Sequence, residues 1–142
     1  MENEIYYIGN GIFSLNFISG WISHVSNSEY CVYNCVQQYI VKKKQELFDP
    51  ENIRLADKIM NEVNLKNIER YCKMIKNYDN DIWNKYKYQV ILEALELKCN
   101  QNPVFRNYLL ATGKKMIVDK SDCANLLGRA LMEVRGRFRT YK

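Results

Sequence analysis

At Asn34 the apolar period of this chain changes, and that change constrains the fold more than any other feature. Before it, apolar residues come in short runs: Ile5-Tyr6-Tyr7-Ile8, closed by Gly9-Asn10-Gly11, and Tyr30-Cys31-Val32-Tyr33. Short runs bounded by turn residues read as strands. After it, apolar residues recur every three or four positions, the spacing that lines one face of a helix. Val36, Ile40 and Leu47 suit a first helix that stops before Asp49-Pro50. That dipeptide is also a start signal, because Asp can cap orphan amides and Pro at the first helical position loses no hydrogen bond. A second helix then carries Leu55, Ile59 and Val63. Asn64 caps a third with Ile68, Cys72 and Ile75. Asp79 caps a fourth and longest, with Ile82, Tyr86, Val90, Ala94 and Leu97 as its stripe. Asn102-Pro103 repeats the capping logic ahead of Phe105, Tyr108 and Leu109. Gly113 ends that helix, Met116-Ile117-Val118 reads as a strand, and a last helix presents Leu127, Leu131 and Val134. The expected fold is α+β, a predominantly helical single domain over 1–142 with a small β-sheet.

Composition agrees with one folded domain. The chain has 142 residues, 47% of them hydrophobic and 26% charged, with two prolines and six glycines; disorder needs fewer apolar residues and more uncompensated charge. The net charge of +5 is modest, and the basic residues are dispersed apart from Lys42-Lys43-Lys44 and the tail of Arg135, Arg137, Arg139 and Lys142. This permits an anionic ligand or weak nucleic-acid contact without demanding either. Five cysteines with no Cys-x-x-Cys pair, and a single histidine, His24, leave too few spaced ligands for zinc. No metal and no cofactor is expected, and the thiols read as buried and reduced. Met1-Glu-Asn-Glu lacks a basic n-region and an apolar h-region. No apolar run approaches the roughly 20 residues of a membrane span. A cytoplasmic protein without membrane contact is expected. The usage of Lys, Asn, Ile and Tyr suits a viral or low-GC genome, which would place it in the host cytoplasm.

Periodicity names no reaction, but several strings taken in order do. Phe13-Ser14-Leu15-Asn16-Phe17 is similar to F-L-S-N-F, with the serine displaced. Asn34 to Ile40 contains a C-x-E-Q-Y-M-like start, and Lys44 falls seven residues after its third position. Lys76-Asn77-Tyr78-Asp79 followed by Ile82-Trp83 resembles K-N-F-D-x-x-I-W. Lys98 with Gln101-Asn102 resembles K-F-x-Q-N, and Leu109 to Gly113 resembles L-L-x-T-G. Asn125 to Arg135 resembles N-x-L-G-x-x-L-M-x-V-R. From about residue 13 to 135 the chain thus resembles the NADAR family. That family includes a bacterial N-glycosidase of riboflavin intermediates and enzymes that remove ADP-ribose from guanine.

The resemblance implies cleavage of an N-glycosidic bond, in which positive charge develops at the ribose carbon. A carboxylate stabilises that charge or activates water, and a hydrogen-bond donor helps the base leave. The family's glutamate in C-x-E-Q-Y is the natural catalyst, and here that position is Gln37. An amide keeps the carboxylate's shape but has no negative charge and accepts no proton at useful pH. The family's D-x-x-W-G-x-G segment is also departed from: Val118 to Ala124 connects almost directly to Asn125, with Asp122 as the stand-in for the aspartate. A loop that closes over ligand and excludes water is shortened.

The remaining ligand-binding candidates are Asn16, Lys44, Trp83 and Asn125. Trp83 suits stacking on a base or nicotinamide and equally a core position on the Ile82–Tyr86 face. Lys44 suits a phosphate, the pocket's acid or a solvated lysine run. Asn16 suits a ribose hydroxyl or a turn. Asn125 and Arg135 are equally explained as a helix cap and a surface ion pair. Asp79 reads as an N-cap rather than a catalyst. Three functions follow. One is a degenerate NADAR protein that binds ADP-ribose or an NAD-type nucleotide. The second is an active N-glycosidase on ADP-ribosylated guanine or nucleic acid, with Asp119 or Asp122 as its acid. The third is a structural or assembly protein with a protein partner. Oligomeric state is not legible.

Overall fold

The protein is described by a computed structural model covering residues 4–9, 11–15, 22–26 and 29–139, with backbone alone for 22–26 and for 29. The elements run β1 (Ile5–Tyr7), β2 (Ile22–Ser26), β3 (Glu29–Tyr33), α1 (Val36–Phe48), α2 (Ile53–Met60), α3 (Leu65–Cys72), α4 (Asn80–Gln101), α5 (Pro103–Ala111), β4 (Met116–Val118) and α6 (Leu126–Arg139). The expected mainly helical α+β architecture is present. Its strands form two separate two-stranded ladders among the described residues: β1 pairs in parallel with β4, and β2 pairs antiparallel with β3. In the first, Ile5, Tyr6 and Tyr7 face Met116, Ile117 and Val118. The bond from Ile8 N to the Val118 carbonyl, 2.8 Å, carries the pairing toward Gly9. A strand from the start of the chain is thereby joined to one near its end, and the loops after both meet at one edge.

α4 is the central element, packing on α1, α5, α6 and β2. Its buried residues are Trp83, Ile91, Leu92, Ala94, Leu95, Lys98 and Cys99. The stripe expected from hydropathy is displaced by one position: Ile82 and Tyr86 are exposed, Val90 and Leu97 are half-buried, and only Ala94 is buried. The cause is that Lys87 and Lys98 lie on the face running from Trp83 through Ile91 to Leu95, so polar side chains mask the apolar period. Leu47 and Tyr108 are likewise exposed where core positions were expected. In α6 the expected Leu127, Leu131 and Val134 are all buried.

The capping expectations hold at Asn64, whose side chain accepts from Lys66 N, and at Asp79, which accepts from Asp81 N and Ile82 N at 2.9 and 3.1 Å. They fail at Asp49-Pro50. There Asn52 caps α2 by accepting from Leu55 N, while the Asp49 carboxylate accepts from the Asn52 amide and Lys76 N. Val63 accordingly falls beyond α2 and is exposed. Pro103 does open α5, but the Asn102 side chain turns back to close α4, donating to the Lys98 carbonyl at 3.0 Å. No described helix is long and apolar enough to cross a membrane.

Of the five thiols, Cys35 and Cys99 are buried, Cys31 and Cys72 are half-buried, and Cys123 is exposed. The expectation of buried thiols therefore holds for two of them. Strand and helix packing decides which.

Candidate functional site

The site grows from the first turn of α1. Cys35 caps it, its Sγ accepting from Gln38 N at 3.4 Å, and burial pushes that thiol up from its ordinary pKa. Gln37 N donates to the Leu15 carbonyl at 2.8 Å, which pins the 11–15 segment against the helix start. Gln37 itself is half-buried beside this junction. Its neighbour Gln38 is 1% exposed and does structural work. Its Oε1 accepts from Asn34 N at 2.8 Å, and its Nε2 donates to the Ile59 and Glu62 carbonyls at 2.8 and 3.1 Å. The Gln38 side chain thus clamps the end of α2, while Gln37 meets Leu15 through its backbone N–H.

That leucine belongs to a pocket of about 350 Å³ lined by Ile8, Gly9, Ser14, Leu15, Asp119, Lys120, Ser121 and Leu127. It lies where the loops after β1 and β4 meet, so the parallel pairing of the two strands creates it. The far side is the short 119–125 connection, and that connection is tightly knit. Asn125, at φ +52°, accepts from Asp119 N at 2.7 Å and donates to the Ile117 carbonyl at 3.0 Å. Gly128 makes room for it, since a Cβ there would come within 3.0 Å of Ile117 O and of the Asn125 amide. Asp119 Oδ1 accepts from Ser121 N and Oγ at 3.0 and 2.6 Å. Asp122 accepts from Ala124 N through one oxygen and from Leu126 N through the other, at 3.1 and 3.0 Å. It covers the first amide of α6 and is not among the pocket's lining residues. The Asn125 side chain, read as a possible helix cap, instead ties the loop to β4.

Lys44 and Trp83 form a second cluster. Gln37 and Lys44 share a face of α1 because seven residues are close to two turns, about 10 Å of rise. Lys42 and Lys43 reach Glu46 at 3.1 and 3.7 Å. Lys44 instead turns inward, its Nζ 3.6 Å from Cys72 Sγ, 4.3 Å from the Tyr78 ring centre and 5.4 Å from that of Trp83. Trp83 is 4% exposed and packs edge-on to Phe48. A base could stack on it only by displacing neighbours. Asn16 lies outside the described residues. The structure therefore brings Gln37 near the pocket junction, puts Asn125 under the pocket's loop, and keeps Lys44 with Trp83 in a cluster of their own.

Two further lysines and an arginine were not legible as they stand. Lys98 is 1% exposed, its Nζ 4.8 Å from the Phe105 ring centre, and burial holds its ammonium down to about 8. Arg135, read as a surface ion pair, is buried and donates to Thr112 Oγ and the Lys115 carbonyl at 2.8 and 2.9 Å. It clamps the α5–β4 turn. Lys120, Ser121 and Gly9 line the pocket without having been singled out as binding residues: the first two lie in the 118–124 connection read as a shortened loop, and Gly9 in a segment read as a turn alone.

Comparison with known proteins gives a consistent result. A family model described as the NADAR domain matches residues 6–123. N-glycosidase R617 of Acanthamoeba polyphaga mimivirus is 30% identical over 140 residues, spanning 92% of this chain and 81% of that protein. The NMR structure of the E. coli protein YbiA matches with a TM-score of 0.74 at 20% identity, over 99% of this chain and 88% of that one. This last likeness is one of fold.

Proposed function

Because this chain belongs to the NADAR family, we propose that it binds an ADP-ribose- or NAD-type nucleotide in the pocket lined by Gly9, Ser14, Leu15 and the 119–121 loop and hydrolyses an N-glycosidic bond weakly or not at all. The observation that carries this reading is the state of the acids around the pocket. At the position where the resemblance expects a glutamate to activate water stands Gln37, whose backbone N–H bonds the Leu15 carbonyl. Asp122, the stand-in for the family's loop aspartate, has both oxygens engaged by backbone amides. An oxocarbenium-like centre would then lack a general base at either of those two positions, and such help is worth roughly 10² to 10⁴ in rate. Hydrogen-bonding groups and a cation remain, and these suit binding.

The N-glycosidase name of the mimivirus relative makes the active alternative worth stating. It is favoured by Asp119, which lines the pocket. Its oxygen not held by Ser121 would then be the base. The third alternative is an assembly protein that keeps the fold without using this pocket. We place the protein in the cytoplasm, since five unbridged thiols suit a reducing compartment.

Calorimetric titration with ADP-ribose, NAD and GMP tests the binding reading, and absence of heat at millimolar ligand would overturn it. Incubation with ADP-ribosylated guanine nucleotides reads the chemistry. Rapid release of free ADP-ribose by the wild-type protein, abolished in Asp119→Asn, would establish the active alternative. Under the proposed reading, Gln37→Glu raises a negligible rate to a measurable one.

A further inference from the structure

We infer that Lys120 makes this pocket selective for phosphate-bearing ribosides over their unphosphorylated counterparts. The inference rests on the pocket being a nucleotide site, and it names the group there that would recognise the phosphate.

Lys120 lines the pocket, and its Nζ sits 4.3 Å from the centre of the Tyr7 ring. An aromatic face orients an ammonium without neutralising it. A neighbouring acid could have done so, since Asp119 precedes it in the chain. One oxygen of that carboxylate is instead held by Ser121, from whose amide and hydroxyl it accepts at 3.0 and 2.6 Å, and no ion pair to Lys120 forms. Among the described residues no carboxylate lies within ion-pair distance of Lys120, whereas Lys42, Lys43 and Lys115 reach Glu46, Glu46 and Glu4. The ammonium at the pocket edge is thus oriented by an aromatic face and forms no ion pair among the described residues.

The loop that carries it is pre-organised. Asn125 bridges Asp119 N and Ile117 O, and Asp122 pins the chain to the start of α6. Little ordering entropy remains to oppose ligand binding at this edge. Across the pocket, Gly9 leaves open space, since an added Cβ would meet nothing within 4 Å. A phosphate oxygen can therefore approach the Gly9 backbone without meeting a side chain there. A dianionic phosphate gains a charge-assisted contact that a nucleoside hydroxyl does not.

The test is calorimetric titration of the full chain with adenosine, AMP and ADP-ribose, at low and high salt, for the wild type, Lys120→Met and Lys120→Arg. Melting temperatures serve as the control, and none should move because the side chain is exposed. The wild type is expected to bind AMP and ADP-ribose more tightly than adenosine, with a preference that shrinks in high salt. Lys120→Met should weaken AMP and ADP-ribose by roughly tenfold, leave adenosine unchanged, and Lys120→Arg should restore most of the loss. If the wild type prefers AMP and Lys120→Met keeps that preference, or if adenosine and AMP bind equally, the inference is overturned while the nucleotide pocket stands. If the wild type binds none of the three, both are overturned.

Discussion

Replacing Gly128 with alanine should destabilise the protein, although alanine is the better helix former. In an exposed helix interior the change gains about 1 kcal/mol, and Gly128 lies in the first turn of α6. Here the new Cβ would come within 3.0 Å of the Ile117 carbonyl and of both polar atoms of the Asn125 amide. A backbone oxygen in a strand yields little, so Asn125 must swing away. It then gives up its bonds to Asp119 N and Ile117 O, each contributing about 1 kcal/mol, and strands half-buried partners at a cost of about 1–3 kcal/mol more. Setting the helical gain against these losses leaves a net destabilisation of about 2–4 kcal/mol. For a chain of this size that lowers the melting midpoint by on the order of 10 °C. Urea unfolding followed by circular dichroism measures it, with an unchanged m-value showing that the unfolded state is not responsible. The double variant Asn125→Ala/Gly128→Ala removes part of the obstruction, so its cost should fall short of the sum of the two single costs. A Gly128→Ala protein as stable as the wild type would refute the argument, as would strict additivity.

Three further outcomes follow from the same geometry. Gln38→Leu removes a buried amide that serves Asn34 N and the carbonyls at the end of α2; a loss of about 2–3 kcal/mol is expected, and a change under 0.5 kcal/mol in urea unfolding would contradict it. Burial holds Lys98 down to about 8 from its ordinary 10.5. The unfolded chain therefore binds the extra proton between those values, and the site's contribution to stability rises with pH across that window, by about 3 kcal/mol in all. The buried thiols titrate in the opposite sense, so the quantity to follow is the difference between wild type and Lys98→Met. A flat difference from pH 8 to 10.5 would show the side chain is not desolvated. Asp122→Ala uncovers the Ala124 amide and the first amide of α6 and should cost about 1 kcal/mol of stability, with any residual glycosidase rate unchanged; loss of rate at unchanged stability would make Asp122 a catalyst.

Features carried by neighbours in the chain were legible without the fold. Asn64 and Asp79 cap because a short side chain reaches amides two or three residues on. α6 buries Leu127, Leu131 and Val134 because its apolar period is unmasked. The ordered strings from Phe13 to Arg135 identified the family. Tertiary structure decided what depends on partners far along the chain. The buried face of α4 was hidden because Lys87 and Lys98 lie on it, and a buried lysine reads in sequence like a solvated one. Arg135 became an internal clamp because the Thr112 hydroxyl and Lys115 carbonyl meet it across the α5–β4 turn. Gln38 was indistinguishable in kind from Gln37 until α2 packed over one of them. The pocket exists because β1 pairs with β4, bringing Gly9 and Lys120 together from opposite ends of the chain. Local chemistry is written into local sequence, whereas a site assembled by long-range pairing acquires its residues only when the chain closes on itself.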